Sequence, residues 1–542
     1  MSLSRVSLRE QASDWIVMEG RYRLEGERPQ VGRQKLSHQM PAAGALPARN
    51  SLQLPGAILI AVASTLHMYN SAQAAEPAVA SVSFSPATIT ALAGCPEVPG
   101  VDVFVGLSTG EVAILDASTL STKAEIPKDV VVLCKPDEIT IGSDVVAASI
   151  LPGASDATAV VVYACGTAAT FVIPEVDPES RLTKKERKAI NSGIGFSVTG
   201  MATRVTAATV TAPPMLTGAV NGRPGREELS VQDSLDASGS TATNSHGGNG
   251  QNGAAANGLV SEQRLSAGAH VTCAALSPDG RMIAMGFESG TTAVLDRDTL
   301  ALQQGFTSFF GSVLCLAWSP DAAVLAAGGQ DDLIAVYSLR HRATLAWCEA
   351  HQSWVSGVAF DGQHCQRGSR DPTSDEVTPD VYRVVSVGQD CQLAVWDVVL
   401  DADIVEAAEE RRDAALALAN RAASISADGG GSEVGTPGGQ APGGLSMALG
   451  GMSVGGGAKG EGVVLPSVPR GGMTLLMPLV VCAVHPEPCC AVLPCEEYIF
   501  TVDWAGAVRA WRRPRPTVAQ LAISRSHARK QSQTKVHKES LG

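Results

Sequence analysis

One stretch of the sequence, from Phe309 to Val399, contains two copies of the same pattern of short apolar segments. The first copy reads Ser312-Val313-Leu314-Cys315-Leu316-Ala317-Trp318, then the turn Ser319-Pro320-Asp321, then Leu325 to Asp331 and Leu333 to Tyr337. The second copy reads Trp354 to Phe360, then Asp361-Gly362, then Tyr382 to Asp390 and Leu393-Ala394-Val395-Trp396-Asp397. Apolar segments of strand length separated by turn residues predict a sheet of short antiparallel strands.

The pattern repeats at a fixed period. Leu276, Trp318 and Phe360 each end the first strand of a copy, and they follow one another at 42 residues. This period and the closing Trp396-Asp397 resemble a WD repeat, whose four-stranded unit takes about 40–45 residues. The sequence therefore predicts an all-β fold, a seven-bladed WD40 β-propeller with long disordered insertions.

Blades outside this stretch are predicted from looser copies of the pattern. The predicted divisions are 1–50, mostly flexible with an edge strand near 14–24; 51–174, the closing strand and first blades; 175–264, a disordered insertion; 265–400, the central blades; 401–472, a helix and low-complexity linker; 473–514, the last blade; and 515–542, a basic disordered tail. Because closing the ring removes exposed strand edges, we expect the strands near 14–24 and 56–70 to complete the closing blade.

Four polar or aromatic residues of the second copy stand where a WD repeat has its structural tetrad. His351 precedes the first strand, Ser386 lies on the second, Asp390 in the next turn and Trp396 on the third. The resemblance implies a hydrogen-bonded chain from the Trp396 indole through Ser386 and His351 to Asp390. It also implies that Asp331 is the structural aspartate in the corresponding turn of the first copy. The alternative is a hydrolase triad, but Ser386 lies within a strand and not on an exposed elbow.

Other motifs point to chemistry less strongly. Gly106 to Gly110 matches the Gly-x-Ser-x-Gly nucleophile motif, yet a strand follows it where a helix is required, so we predict a hairpin turn. Cys482, His485, Cys489, Cys490 and Cys495 suggest zinc, but they lack a Cys-x-x-Cys pair, so we predict no metal and no cofactor. The basic run from Arg181 to Lys188 is a nuclear-import signal or a solvated surface.

Composition limits the classes of function. The 542 residues carry 41 Lys and Arg against 54 Asp and Glu, a net charge of −13 that disfavours nucleic acid as a partner. The longest early apolar run, Leu54 to Leu66, is too short to cross a membrane. Of the 12 cysteines, several stand singly within apolar strands, which indicates a reducing compartment, cytoplasmic or nuclear or both.

The amino-acid sequences of the best copies resemble one family in particular. The segments that carry the resemblance are Phe309 to Asp321, Gly328 to Leu333, His351 to Asp361 and Ser386 to Leu393, with weaker matches at Glu19 to Leu24 and Val105 to Val112. They are similar to the WD-repeat family that includes the fungal carbon-catabolite-repression protein and the animal dystrophia-myotonica protein. The resemblance implies a non-catalytic partner that binds and activates a ubiquitin-specific protease, with no small-molecule substrate.

Three aromatic residues are the predicted anchors for that partner. Phe309 takes the position of His351 in the preceding copy, Phe310 follows it, and Trp354 lies three residues after His351. Aromatic side chains exposed on a rigid surface are frequent binding hot spots, although these three could instead pack between blades. The alternative function is a substrate receptor or general scaffold of a ubiquitin ligase or another complex; Trp396-Asp397 is followed by Val398 and lacks the Trp-Asp-x-Arg typical of cullin ligase receptors.

Overall fold

Seven β-sheets of four or five strands make up most of the protein. The structure is a computed structural model that describes residues 11–28, 42–46, 57–70, 78, 80–94, 103–115, 129–134, 142–151, 157–173, 197–201, 203–209, 270–368, 378–428, 463–468 and 470–514. Strands are numbered in chain order, and each sheet is called a blade. The tail after residue 514 and most of the predicted insertions lie outside the described residues.

The innermost strands of the seven blades form a closed ring. From blade 1 to blade 7 they are Ala42–Leu46 (β3), Ile89–Gly94 (β7), Val145–Leu151 (β11), Val271–Leu276 (β16), Val313–Trp318 (β20), Val355–Phe360 (β24) and Cys489–Pro494 (β30). Each contacts the next, and β30 contacts β3. The predicted seven-bladed propeller is confirmed, and closure leaves no innermost strand with a free side.

Blades 4 to 6 contain the strongest repeats. Blade 4 adds Met282–Phe287 (β17), Thr291–Asp296 (β18), Leu302–Thr307 (β19) and Val463–Leu465 (β27); blade 5 adds Val324–Gly329 (β21), Leu333–Ser338 (β22), Ala343–Glu349 (β23) and Leu475–Leu476 (β28); blade 6 adds Asp380–Gly388 (β25), Gln392–Leu400 (β26) and Val480–Ala483 (β29). Both faces of β21 and β22 are buried because each blade lies between two others. Packing is so close that a Cβ on Gly328 would lie 2.6 Å from Val355 Cγ1.

Blades 1 to 3 correct two sequence-based expectations. Blade 1 consists of β3 with Ala57–Val62 (β4), Thr65–Asn70 (β5) and Ala80–Ser83 (β6); blade 2 of β7 with Val103–Leu107 (β8), Val112–Leu115 (β9), Asp129–Cys134 (β10) and Ser197–Met201 (β14); blade 3 of β11 with Ala157–Tyr163 (β12), Thr167–Ile173 (β13) and Thr203–Thr209 (β15). Residues 57–70 thus belong to their own blade and not to the closing one. The prediction of an unbroken disordered insertion over 175–264 is wrong for β14 and β15, which pair with β10 and β13.

Two strands that follow a blade in sequence belong to it as outer strands and do not begin the next blade. β6 pairs with β5 and completes blade 1, while β29 pairs with β26 and completes blade 6. The last blade therefore begins at Cys489 and not at residue 473. The cause is the same in both cases: an apolar run next to a turn fits either edge of a blade, and only pairing distinguishes them.

The closing blade joins strands from distant parts of the sequence. It consists of β30, Tyr498–Asp503 (β31), Val508–Arg512 (β32), Gly20–Arg28 (β2) and Asp14–Val17 (β1) in that order from the centre. β2 pairs antiparallel with β32, and β1 turns back on β2 as a hairpin in which Trp15 and Tyr22 stack at 3.8 Å. The weak N-terminal pattern thus supplies the outer half of this sheet.

A buried ion pair reinforces this closure at the end of the blades where the first strand leads into the second. Arg513, which follows β32, donates to both carboxylate oxygens of Asp361 at 2.6 and 2.7 Å, and to the Tyr22 hydroxyl at 3.3 Å. Its Nε also donates to the Cys495 carbonyl at 2.8 Å. Blade 6, the N-terminal hairpin and blade 7 are therefore held at one point, which we call the clasp.

A second arginine extends the clasp. Arg383 donates to Asp397 at 2.7 and 2.8 Å and to the carboxylate of Glu19 in the β1–β2 turn. His364 Nδ1 lies 3.1 Å from Asp361, and its other ring nitrogen lies 3.6 Å from Glu19. Charges buried in this way are tolerated because each has an opposite charge or a hydrogen-bond partner.

One α-helix, Ala402–Asp428 (α1), and a short 3-10 helix, Arg470–Gly472, occur in the part of the chain that the structure describes. α1 starts after Asp401, whose carboxylate accepts from Ile404 N at 2.9 Å as an N-cap. The helix packs against β23: Ala408 is buried, and Arg411 donates to the Leu345 carbonyl at 3.0 Å. This helix is therefore docked on its own propeller over its first turns.

Candidate partner-binding rim

The loops at one end of the strands form a continuous surface, which we call the upper rim. It contains the turn between the second and third strands of each blade and the connection that leads into each first strand. Antiparallel order places both kinds of loop at the same end of a blade. Hydrogen bonds join them: Gln389 N donates to the Trp354 carbonyl at 2.9 Å, and Gln330 N donates to the Ser312 carbonyl at 3.0 Å.

Blade 6 brings together three of the four predicted tetrad residues. His351 Nδ1 lies 3.1 Å from both Asp390 oxygens, and its Nε2 lies 2.7 Å from Ser386 Oγ. Nδ1 facing a carboxylate is the donor, so Nε2 accepts the serine hydroxyl proton. The fourth residue is not connected, because the buried Trp396 Nε1 has no hydrogen-bond partner. The predicted bond from the indole to the serine is therefore absent.

A second tetrad, which sequence reasoning missed, lies in blade 7. Trp511 Nε1 donates to Thr501 Oγ1 at 3.0 Å, and Thr501 Oγ1 lies 2.8 Å from His485 Nε2. His485 Nδ1 lies 3.3 Å from an Asp503 oxygen, which is within ion-pair distance, but the two atoms form no hydrogen bond. The signal was present, because Thr501 and Trp511 have the same ten-residue separation as Ser386 and Trp396. His485 was instead considered as a zinc ligand.

The two tetrads predict different losses of stability when the central hydroxyl group is removed. Thr501→Val leaves two buried groups unsatisfied, Trp511 Nε1 and His485 Nε2, whereas Ser386→Ala leaves only His351 Nε2. At about 1–3 kcal/mol for each unsatisfied group, we expect Thr501→Val to lower the free energy of unfolding about twice as much as Ser386→Ala. Urea unfolding followed by tryptophan fluorescence measures both, and equal losses would contradict the assigned bonds.

Of the cysteines that suggested zinc, Cys489 and Cys490 are buried in β30, while Cys482 on β29 and Cys495 after β30 are half-buried. Burial raises the pKa of Cys482 to about 12 and also raises the pKa of Cys490, so both remain thiols at neutral pH. No three His, Cys, Asp or Glu side chains stand close enough to hold a metal ion within the described ranges. In the same ranges, no helix is long and apolar enough to cross a bilayer.

Asp331 organises the corresponding loop of blade 5. Its carboxylate accepts from Phe309 N at 3.1 Å and from Leu333 N at 3.3 Å, and burial raises its pKa despite these bonds. Asp390 accepts from Gln352 N and Gln392 N in the same way. Phe309 replaces the histidine, so blade 5 has no polar relay at this position; the Phe309 ring lies 5.3 Å from Trp347 and is half-buried.

Two of the three predicted anchor residues are exposed on the upper rim. Phe310 has 56% of its surface exposed and Trp354 has 43%, whereas most other large apolar side chains of the blades are buried. The backbone that carries Phe310 is fixed by Gly311, which has φ +69° and would place a Cβ 2.8 Å from Gln330 Cβ. The two aromatic rings thus project from rigid loops of adjacent blades and are not packed in the seam between them.

The seven-bladed ring, the His–Ser–Asp relay of blade 6 and the turns held by Asp331 and Asp390 are those of a WD40-type β-propeller fold. In agreement, the family profile "WD domain, G-beta repeat" matches residues 303–338, which run from β19 to the end of β22. Within this class the chain is similar to the UBP9-binding protein bun62 of Schizosaccharomyces pombe, with 36% identity over 126 residues. The match covers 23% of this chain and about a fifth, 21%, of the relative.

Proposed function

We propose that the protein is a non-catalytic scaffold that binds a ubiquitin-specific protease through its upper rim and activates it. The observation that carries this proposal is the pair of exposed aromatic side chains, Phe310 and Trp354, held by rigid loops of adjacent blades. Burying such side chains supplies a large share of the binding energy in many interfaces. The fission-yeast relative is named a UBP9-binding protein, which supports this choice of partner.

The burial of Ser386 supports a non-catalytic role. His351, Ser386 and Asp390 have the residue types of a hydrolase triad, but Ser386 is fully buried, with 0% exposure. A nucleophile must reach a substrate carbonyl, and this hydroxyl has no access to one. The three residues serve instead to fix the connection that carries Trp354.

Activation follows from binding if the docked rim favours one state of the protease. A partner that binds the catalytically competent conformation more tightly than the idle one shifts the population toward the competent conformation. A closed ring suits this task because its blades cannot adapt separately to the two conformations. The chain then raises the turnover of the protease without contributing a residue to the reaction.

Affinity capture and reconstitution test the proposal in two stages. The tagged chain, expressed in the cells from which the sequence comes, should enrich a ubiquitin-specific protease that a tagged unrelated propeller does not enrich. The purified protease should then release a fluorophore from ubiquitin faster when the chain is added, and the chain alone should release none. Capture of ligase adaptor subunits without a protease, or hydrolysis by the chain alone, would contradict the proposal.

A further inference from the structure

The described part of the upper rim carries seven carboxylates and no lysine or arginine. It consists of residues 63–64, 84–88, 108–111, 142–144, 164–166, 270, 288–290, 308–312, 330–332, 350–354, 389–391, 484–488 and 504–507, none of which is Lys or Arg. Its carboxylates are those of Glu111, Asp144, Glu288, Asp331, Asp332, Asp390 and Glu487. The arginines that the structure describes lie on strands, on α1 or at the opposite end of the blades, except Arg470 of the short 3-10 helix, whose guanidinium is paired with Glu349 at the end of β23.

Three of these carboxylates alternate with the exposed aromatic residues around the ring. Glu288 lies on the blade 4 side of Phe310, since its carbonyl accepts from Ser312 Oγ at 3.0 Å. Asp332 lies between the two aromatic residues, within electrostatic range of His351 and Asp390. Glu487 follows Trp354 on the blade 7 side, next to Pro486, whose carbonyl is 3.8 Å from Cys391 Sγ.

These three carboxylates are available to a partner. Within the described chain, none of them has an arginine or histidine within ion-pair distance, and none accepts a side-chain hydrogen bond. Glu288 and Glu487 are exposed and Asp332 is half-buried. Burial, and then the negative charge of Asp390, raise the pKa of Asp332, so a cation brought near it would relieve both effects.

We infer that the partner surface that docks on the upper rim is cationic, with Lys and Arg side chains surrounding the pockets that take Phe310 and Trp354. This inference rests on the proposed function and specifies the chemistry of the protease surface. Nucleic acid and anionic membrane would both be repelled by the same carboxylates. Opposite charges around an apolar contact increase the association rate and exclude wrong partners, and they make binding sensitive to salt.

Two sets of substitutions with equal charge change isolate the rim. The rim variant is Glu288→Gln, Asp332→Asn and Glu487→Gln; Asn suits Asp332 because that residue has φ +62°, a conformation that asparagine tolerates. The control variant is Glu406→Gln, Glu410→Gln and Glu497→Gln, three exposed carboxylates away from the rim. Both variants gain three units of charge, so a difference between them reports position and not net charge.

The probes are a short synthetic peptide in which Leu and Phe alternate with Arg, its counterpart with Glu in place of Arg, and the protease captured in the pull-down. We expect the Arg peptide to bind and quench tryptophan fluorescence, with an affinity that falls roughly tenfold in the rim variant and less than about twofold in the control. Protease binding should follow the same order and weaken between about 50 and 500 mM NaCl.

The two probes separate the inference from the proposed function. Equal binding of both peptides, or equal weakening in both variants, would overturn the cationic-partner inference even if a protease is captured. If no protease is captured, the proposed function fails, and the peptide pair still decides the character of the rim. Stronger binding of the Glu peptide would overturn the inference outright.

Discussion

Replacing Arg513 with methionine is expected to lower the free energy of unfolding by about 3–5 kcal/mol, because it leaves the buried Asp361 carboxylate without its main partner. Asp361 is 0% exposed and Arg513 only 9%, so water does not replace the lost ion pair. Methionine retains much of the arginine's apolar volume. Urea unfolding at neutral pH measures the loss, which should appear first as detachment of the N-terminal hairpin and exposure of Trp15.

The double variant Asp361→Leu with Arg513→Met is the matched control, since removing both charges removes the unpaired carboxylate as well. It should recover most of the lost stability, as happens when buried ion pairs are replaced by apolar residues. If the double variant is as unstable as the single one, packing and not charge holds the clasp.

Acid should weaken the same clasp. Burial alone would raise the pKa of Asp361, but hydrogen bonds from His364 and Arg513 and the charge of Arg513 outweigh it, and the net pKa lies below the ordinary value. A depressed folded-state pKa stabilises the protein above the unfolded pKa, about 4, and this contribution is lost as pH falls below it. The Arg513→Met variant should lose that acid sensitivity.

The substitutions Phe310→Ala and Trp354→Ala should each weaken protease binding by roughly 30-fold or more, the effect expected of about 2 kcal/mol at a hot spot. About half of each side chain is exposed to water in the free protein, so their removal should lower the unfolding midpoint by only a few degrees. Calorimetric titration of the captured protease measures the first quantity and thermal unfolding the second.

A matched control comes from the outer edge of the propeller. The exposed fraction of Leu479 is 40%, similar to that of Trp354, but Leu479 lies beside β29 and away from the upper rim. Leu479→Ala should therefore leave affinity unchanged. Loss of binding in this control, or loss of folding in Trp354→Ala, would remove the distinction between an anchor and a packing residue.

The fold was predictable because large apolar residues recur at a fixed spacing, once in each repeat. Leu276, Trp318 and Phe360 end equivalent first strands, and the structure places all three at the ends of β16, β20 and β24. The sequence could not show whether an apolar run forms the outer strand of one blade or the inner strand of the next. Residues 80–83 and 480–483 read equally well as outer or inner strands, since alternation records burial and not the pairing partner.

The polar residues that form the relay could largely be predicted from the sequence, whereas the charge of the rim surface could not. Spacing found His351, Ser386 and Asp390, but a threonine in place of serine hid the tetrad of Thr501 and Trp511. The acidic character of the rim needed the topology, because Glu288, Asp332 and Glu487 are far apart in sequence and are brought to one side only by the meander of the strands.

The pairing of β2 with β32 constrains how the protein is made. Glu25 and Arg512, which bond across this seam, stand 487 positions apart in sequence. On the ribosome, the hairpin of residues 14–28 emerges long before the strand it must pair with, and it has no sheet of its own to bury Trp15. The nascent chain therefore carries an unfinished edge until synthesis passes Arg513, which makes this hairpin a natural place for a chaperone to hold.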